Sequence, residues 1–330
     1  MKNMAKQLTN QRKWRPWKGI ILFFVAAAII LGGSLLTVKL GTLLGMIVLQ
    51  GSLLLTAIIC CFINRTPVKE VFPLRGITVR DFFGTAMMWA GGLMFGMMSI
   101  YVTAILFPNV YEAVIDSMQT ITSGPWIASL IMTVVLPPIC EEAIVRGAIL
   151  SNFRSLKRDW VIILIVGLIF GALHMDPIRF INTAILGGIS AYLLIKRDNF
   201  VLAWLVHFIN NGFAFVMSTI SDLGGDDAAE AAKEAAAAIE TSKGQTLASL
   251  MVFFCIAPIL LVIGSHLIKR QRELSEGLEP SGMRLGFKIL IAGVIAFILF
   301  SAGIGYTVMN MPDMEKIKEA AGAVTFLAAR

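Results

Sequence analysis

Nine runs of apolar residues dominate this 330-residue chain. They lie at about 19–38, 41–63, 82–107, 126–150, 160–175, 180–195, 199–220, 248–268 and 286–309. A helix needs about 20 apolar residues to cross the hydrocarbon core of a bilayer, where every backbone polar group must be satisfied within the segment. Seven runs fit that requirement. The runs at 160–175 and 180–195 have 16 residues each and are joined by a turn around Asp176-Pro177. They read as a hairpin of two short helices that stops before the far face. The expected fold is therefore an all-α, polytopic membrane helix bundle with about nine spans, or eight if the hairpin is re-entrant.

Composition agrees. Hydrophobic residues make up 57% of the chain and charged residues 15%, and the mean hydropathy is +0.80. A soluble domain carries roughly 25% charged residues. A soluble multidomain enzyme, a disordered chain and a nucleic-acid module are all excluded. The net charge of +7 has to be read from its placement relative to the spans. Of the 28 Lys and Arg, 20 fall on the side that holds the N-terminal segment, counting Lys288 at the edge of the last run. Seven fall on the opposite side, and Arg146 alone sits well inside a span. Cytoplasmic connections collect Lys and Arg. The N-terminus is expected in the cytoplasm and the C-terminus outside, in a multi-pass protein of the cell (plasma) membrane. The first run is too long for the apolar part of a signal peptide, so it is expected to remain as a span. Cys60, Cys61, Cys140 and Cys255 all lie in apolar runs, which argues against a disulfide framework or a cysteine metal knot.

Ionisable side chains inside a bilayer are costly, and they mark function more often than not. Three spans carry them. The fourth reads Pro137-Pro138-Ile139-Cys140-Glu141-Glu142, followed by Arg146. The fifth ends Phe170-Gly171-Ala172-Leu173-His174, and the seventh contains His207 and Asn211. Counted from the inner ends of their runs, Glu141, His174 and His207 lie at depths of about 15, 21 and 12 Å, using 1.5 Å per residue. They can meet at one level if the spans are neighbours. Glu142 and Arg146 are four residues apart and share a helix face, so they can pair. Glu141 points about 100° away, which leaves it free to act as a base. His207 and Asn211 share a face in the same way and could offer an imidazole and an amide to a developing oxyanion. The adjacent prolines should kink the helix just before the glutamates. Plain structural roles compete with this reading. Glu142–Arg146 could be a structural ion pair, His207/Asn211 interhelical glue, and Phe170 simple packing. The convergence of all of them at one depth favours a site. His266, beside Lys269 and Arg270, reads as an interfacial histidine, and Cys140 as packing.

Glu141-Glu142-x-x-x-Arg146, Phe170-x-x-x-His174 and His207-x-x-x-Asn211 resemble the three motifs of the CPBP family, the CAAX-protease and bacteriocin-processing (Abi) intramembrane proteases. The resemblance covers about residues 126–220. It implies an all-helical membrane endopeptidase in which Glu141 and His174 activate a water, with Glu141 as the base. His207 and Asn211 would stabilise the oxyanion, while Glu142, Arg146 and Phe170 support the site. Its substrate classes are prenylated CAAX proteins, peptide pheromones and bacteriocin-related peptides. The expected partners are therefore a peptide or membrane-protein substrate and the lipid bilayer, with no nucleic acid. The resemblance allows a metal-free glutamate mechanism or a zinc site built from Glu141, His174 and His207. The metal-free form is preferred because the Glu/His/Asn set suffices for general-base and oxyanion chemistry and no HExxH is present.

Around this core, residues 1–125 hold the basic N-terminal segment and three spans. Residues 221–247 form an extracytoplasmic Ala-rich acidic loop, and 248–330 hold two spans and a tail. A non-catalytic immunity or accessory protein is the alternative function. A proton-coupled carrier is disfavoured by the lack of an internal repeat.

Overall fold

A computed structural model describes residues 14–107, 126–225, 243–277 and 283–309. Most of the N-terminal basic segment, most of the Ala-rich acidic loop and the C-terminal tail lie outside the described residues. Within them every regular element is helical. Besides a single turn at Val68–Val71, the helices are α1 (Pro16–Leu40), α2 (Thr42–Ile63), α3 (Val79–Leu106), α4 (Trp126–Phe153), α5 (Asp159–Leu173), α6 (Phe180–Arg197), α7 (Phe200–Leu223), α8 (Lys243–Phe254), α9 (Ala257–Ser275) and α10 (Met283–Met309). All nine apolar runs fold as helix, the eighth being shared between α8 and α9. Seven stretches are long and apolar enough to cross a membrane: α1, α2, α4, α7, the α8–α9 pair and most of α3 and α10. The expected short hairpin is present as α5 and α6. Fifteen residues give α5 a length of about 22 Å, less than the ~30 Å of a hydrocarbon core.

The hairpin and α4 form the centre, and the remaining helices wrap around it. The α1–α2 pair covers the second half of α4, while α3 packs against α6 and α9, and α10 packs on α8 and α9. Without a hydrophobic drive between helices in lipid, close contact depends on small residues. The α5–α6 crossing shows this. A Cβ placed on Gly167 would sit 2.7 Å from the carbonyl oxygen of Ala184 and 3.1 Å from the backbone nitrogen of Gly188. Backbone meets backbone there, which brings the His174 end of α5 tight against α6.

Polar contacts tie the helix ends together on the side where the sequence places the cytoplasm. Trp14 Nε1 donates to Thr66 Oγ1, and the Arg15 backbone N–H donates to Asn152 Oδ1, each at 3.1 Å. Asp81 closes a capping box with Thr78 at the start of α3. The same carboxylate pairs with Arg197 at the end of α6, Nε to Oδ1 at 2.7 Å. Arg75 pairs with Asp198. These clamps hold α1, α2, α3, α4 and α6 in register around the buried polar groups.

Candidate active site

The two prolines of α4 shape the site. Pro137 and Pro138 have no N–H, so the carbonyl of Thr133 lacks both the i+4 donor of an α-helix and the i+5 donor of a π-helix. The helix responds with π-helical turns on both sides of the glutamates, over Ile131–Val135 and Ala143–Ile149. The expected disturbance takes this form, a pair of wide turns. Such turns recur at functional sites because they rotate the side chains that follow. The vacant Thr133 carbonyl accepts from Asn211 Nδ2 at 2.8 Å. Asn210 Nδ2 in turn donates to Asn211 Oδ1 at 3.3 Å.

Glu142 is completely buried, and its two oxygens are fully engaged. Oε2 faces Arg146 Nε at 3.1 Å and accepts from Ser190 Oγ at 2.7 Å. Oε1 lies 2.9 Å from Nδ1 of His207. Arg146, also fully buried, donates from Nη2 to the Gly187 carbonyl at 3.2 Å, and its guanidinium carbon lies 4.1 Å from the centre of the Phe170 ring. The pairing expected from the i, i+4 spacing is present. It belongs to a larger network that draws in α5, α6 and α7.

Glu141 has a different environment. With Gln50, His174, Phe170 and Leu173 it lines a cavity of about 160 Å³, whose remaining wall is apolar. Gln50 Nε2 donates to Glu141 Oε1 at 2.9 Å. His174 caps the end of α5, and its Nδ1 lies 2.8 Å from the Phe170 carbonyl. A carbonyl only accepts, so Nδ1 carries the hydrogen and Nε2 keeps its lone pair. Nδ1 of His207 faces the Oε1 acceptor of Glu142 in the same way.

Both imidazoles pack edge-on to Phe170, with centroid distances of 4.7 Å for His174 and 5.6 Å for His207. One ring thus touches both histidines and the Arg146 guanidinium, the supporting place the sequence reading gave it. The structure arranges the residues picked from the sequence as two sets. Glu141 and His174 border open space, while Glu142, Arg146 and His207 form a closed network behind Phe170. Asn211 sits against α4.

Gln50, Ser190 and the Thr133 carbonyl are among the partners that were not foreseen. Gln50 was visible in principle as a buried amide in an apolar run. Ser190 carried no signal, because serines are common between membrane helices. Among the described residues, no three His, Cys, Asp or Glu side chains converge closely enough to hold a metal ion. As placed, Glu141, His174 and His207 do not form a zinc site.

Residues 123–213 match the family described as type II CAAX prenyl endopeptidase Rce1-like. The match takes in α4 to the middle of α7 and leaves α1–α3 and α8–α10 outside. No curated protein and no solved structure matches the chain.

Proposed function

We propose that this multi-pass membrane protein, whose residues 123–213 belong to the CPBP family of intramembrane proteases, hydrolyses peptide bonds with a water activated by Glu141. The observation that carries the proposal is the division of labour between adjacent carboxylates. Glu142 is saturated by Arg146, Ser190 and His207, whereas Glu141 faces a cavity beside His174. Environments that separate two carboxylates in this way assign them different roles, and the one at the open space is the base.

In the proposed reaction Glu141 takes a proton from the water as its oxygen bonds to the scissile carbonyl carbon. His174 lines the same cavity and, as the resemblance implies, shares with Glu141 in activating that water. The resemblance assigns the charge that develops on the carbonyl oxygen to His207 and Asn211, which in this fold engage Glu142 and the Thr133 carbonyl, so substrate must draw them toward the cavity. The C–N bond then breaks, and the leaving amine takes the proton back from Glu141. No step is assigned to a metal. The apolar cavity wall suits a lipid-embedded or hydrophobic peptide, consistent with the prenylated and peptide substrates that the resemblance implies.

The test compares new peptide termini by mass spectrometry in membranes carrying wild type or Glu141→Gln. Termini that appear with wild type and vanish with the folded variant support the proposal and name the substrates. Identical profiles, with both proteins folded, would overturn it in favour of a non-catalytic accessory role.

A further inference from the structure

α2 lies outside the segment matched to the protease family, yet it supplies one wall of the cavity through Met46, Leu49, Gln50 and Leu53. Two of its polar side chains satisfy themselves locally. Ser52 donates to the Val48 carbonyl and Thr56 to the Ser52 carbonyl, each at 2.7 Å. Gln50 does not. It is 3% exposed, and its amide reaches across to α4, where Nε2 donates to Glu141 Oε1 at 2.9 Å. An ionised carboxylate can only accept, so the atom facing Glu141 must be the nitrogen, and the orientation of the amide is set by chemistry. The other end of that amide, Oε1, is buried without a hydrogen-bond partner among the described residues. A buried amide oxygen is costly to leave unpaired, and this one belongs to a side chain on the wall of a cavity roomy enough for water.

We propose that Gln50 completes the water-activating group. Its Nε2 positions the Glu141 carboxylate, and its Oε1 accepts one hydrogen of the attacking water while the other goes to Glu141. The inference rests on the peptidase reading above. Gln50 exchanges no proton. The proton moves from water to Glu141 and on to the leaving amine, and Gln50 fixes the direction in which the water's remaining lone pair points. A water that donates one hydrogen to the Glu141 carboxylate and the other to the amide oxygen of Gln50 has both hydrogens engaged in an otherwise apolar chamber, within the two to four hydrogen bonds of a buried water. This arrangement also explains why a helix outside the matched segment packs so closely on α4 at the level of Glu141.

The test uses the purified full chain in lipid nanodiscs. The probe is a fluorogenic peptide carrying a cleavage sequence recovered from the terminus mapping. Gln50→Leu keeps the volume and removes both hydrogen bonds, and Gln50→Met does the same without a branch. The expected result is a kcat lowered by about 10- to 100-fold with KM within about twofold, the cost of a misaligned catalytic group. The thermal midpoint of the variant is measured alongside. A purely structural residue would lower the midpoint or the yield and leave kcat per folded molecule unchanged. A folded Leu or Met variant with wild-type kcat, while Glu141→Gln is inactive, would overturn the role of Gln50 and leave the peptidase reading standing. Failure of both variants to fold would make Gln50 a structural residue and overturn the proposal as well. Absence of any Glu141-dependent cleavage would remove the peptidase reading itself, and this proposal with it.

Discussion

Asn211 on α7 donates to the carbonyl of Thr133 on α4 at 2.8 Å, and that carbonyl is one that Pro137 leaves without its helical donor. The asparagine thus repairs the break that the prolines introduce, and it fixes α7 to α4 beside the glutamates. Asn211→Leu strands a partly buried carbonyl and is expected to cost about 1 kcal/mol of stability, in addition to any loss of activity. Pro137→Ala returns an N–H to the helix at the same carbonyl. In a double-mutant cycle followed by denaturant unfolding in micelles, the Ala change should recover part of the Asn211→Leu loss. Strictly additive effects would show that the two residues do not share that carbonyl.

Among the described residues Arg146 is the one Lys or Arg that partners Glu142, with its Nε 3.1 Å from Oε2 and no exposure to solvent. Arg146→Met leaves a buried carboxylate with only Ser190 and His207 as partners. Removing one half of a buried pair typically costs about 3–5 kcal/mol. The single variant should give little monodisperse protein on gel filtration. Arg146→Met combined with Glu142→Leu removes both charges and should recover folded yield without recovering activity. A normal yield for the single variant would mean that Ser190 and His207 suffice to hold the charge.

Much of this arrangement was legible before any coordinates, and the reasons are local. The i, i+4 spacing of Glu142 and Arg146 settles which carboxylate is paired, because helix geometry alone puts them on one face. The short runs around Asp176-Pro177 fold as the expected hairpin because their length leaves no other way to remain helical in lipid. What stayed hidden depends on tertiary contact. The single amide of Gln50 in an apolar run says nothing of its partner 91 residues away, and Ser190 looks like any small residue of a membrane helix. The spacing of His207 and Asn211 places them on one face, but only the fold shows His207 committed to Glu142 and Asn211 to a backbone carbonyl. The overlapping depths of Glu141, His174 and His207, about 15, 21 and 12 Å from the inner ends of their runs, gave no hint that Phe170 divides them into two sets.

The α5–α6 hairpin carries His174, and its crossing offers a paired test. Gly167 faces backbone, with a would-be Cβ 2.7 Å from the Ala184 carbonyl oxygen. Gly188, one turn away on the facing helix, has 3.6 Å to the nearest atom, a methyl of Ile163. Gly167→Ala must push the helices apart and should cost about 1–3 kcal/mol. Gly188→Ala meets only an ordinary contact and should be neutral or slightly stabilising, since alanine favours the helix by up to about 1 kcal/mol over glycine. Thermal midpoints of the two single variants decide the matter, and equal effects would mean that the crossing is looser than its backbone contacts indicate.

The donor geometry leads to the last prediction. Each histidine commits Nδ1 to an oxygen, His174 to the Phe170 carbonyl and His207 to Glu142, so only the Nε2 atoms remain as ligands. A zinc ion bound about 2.0–2.1 Å from each would require those nitrogens within about 4 Å of one another, with Glu141 closing the set. Instead Glu141 and His174 line the cavity, whereas His207 is buried in the Glu142 network, and no three donors converge among the described residues. Dialysis against a strong chelator is therefore expected to leave cleavage of the mapped peptide within about twofold of the untreated rate, the scatter of a steady-state assay. Glu141→Gln should abolish it under the same conditions. Elemental analysis of the active protein should find zinc well below one per chain. Activity lost on chelation and restored by zinc would mean that His207 leaves Glu142 in the working enzyme, and the general-base assignment of Glu141 would have to be replaced by metal ligation.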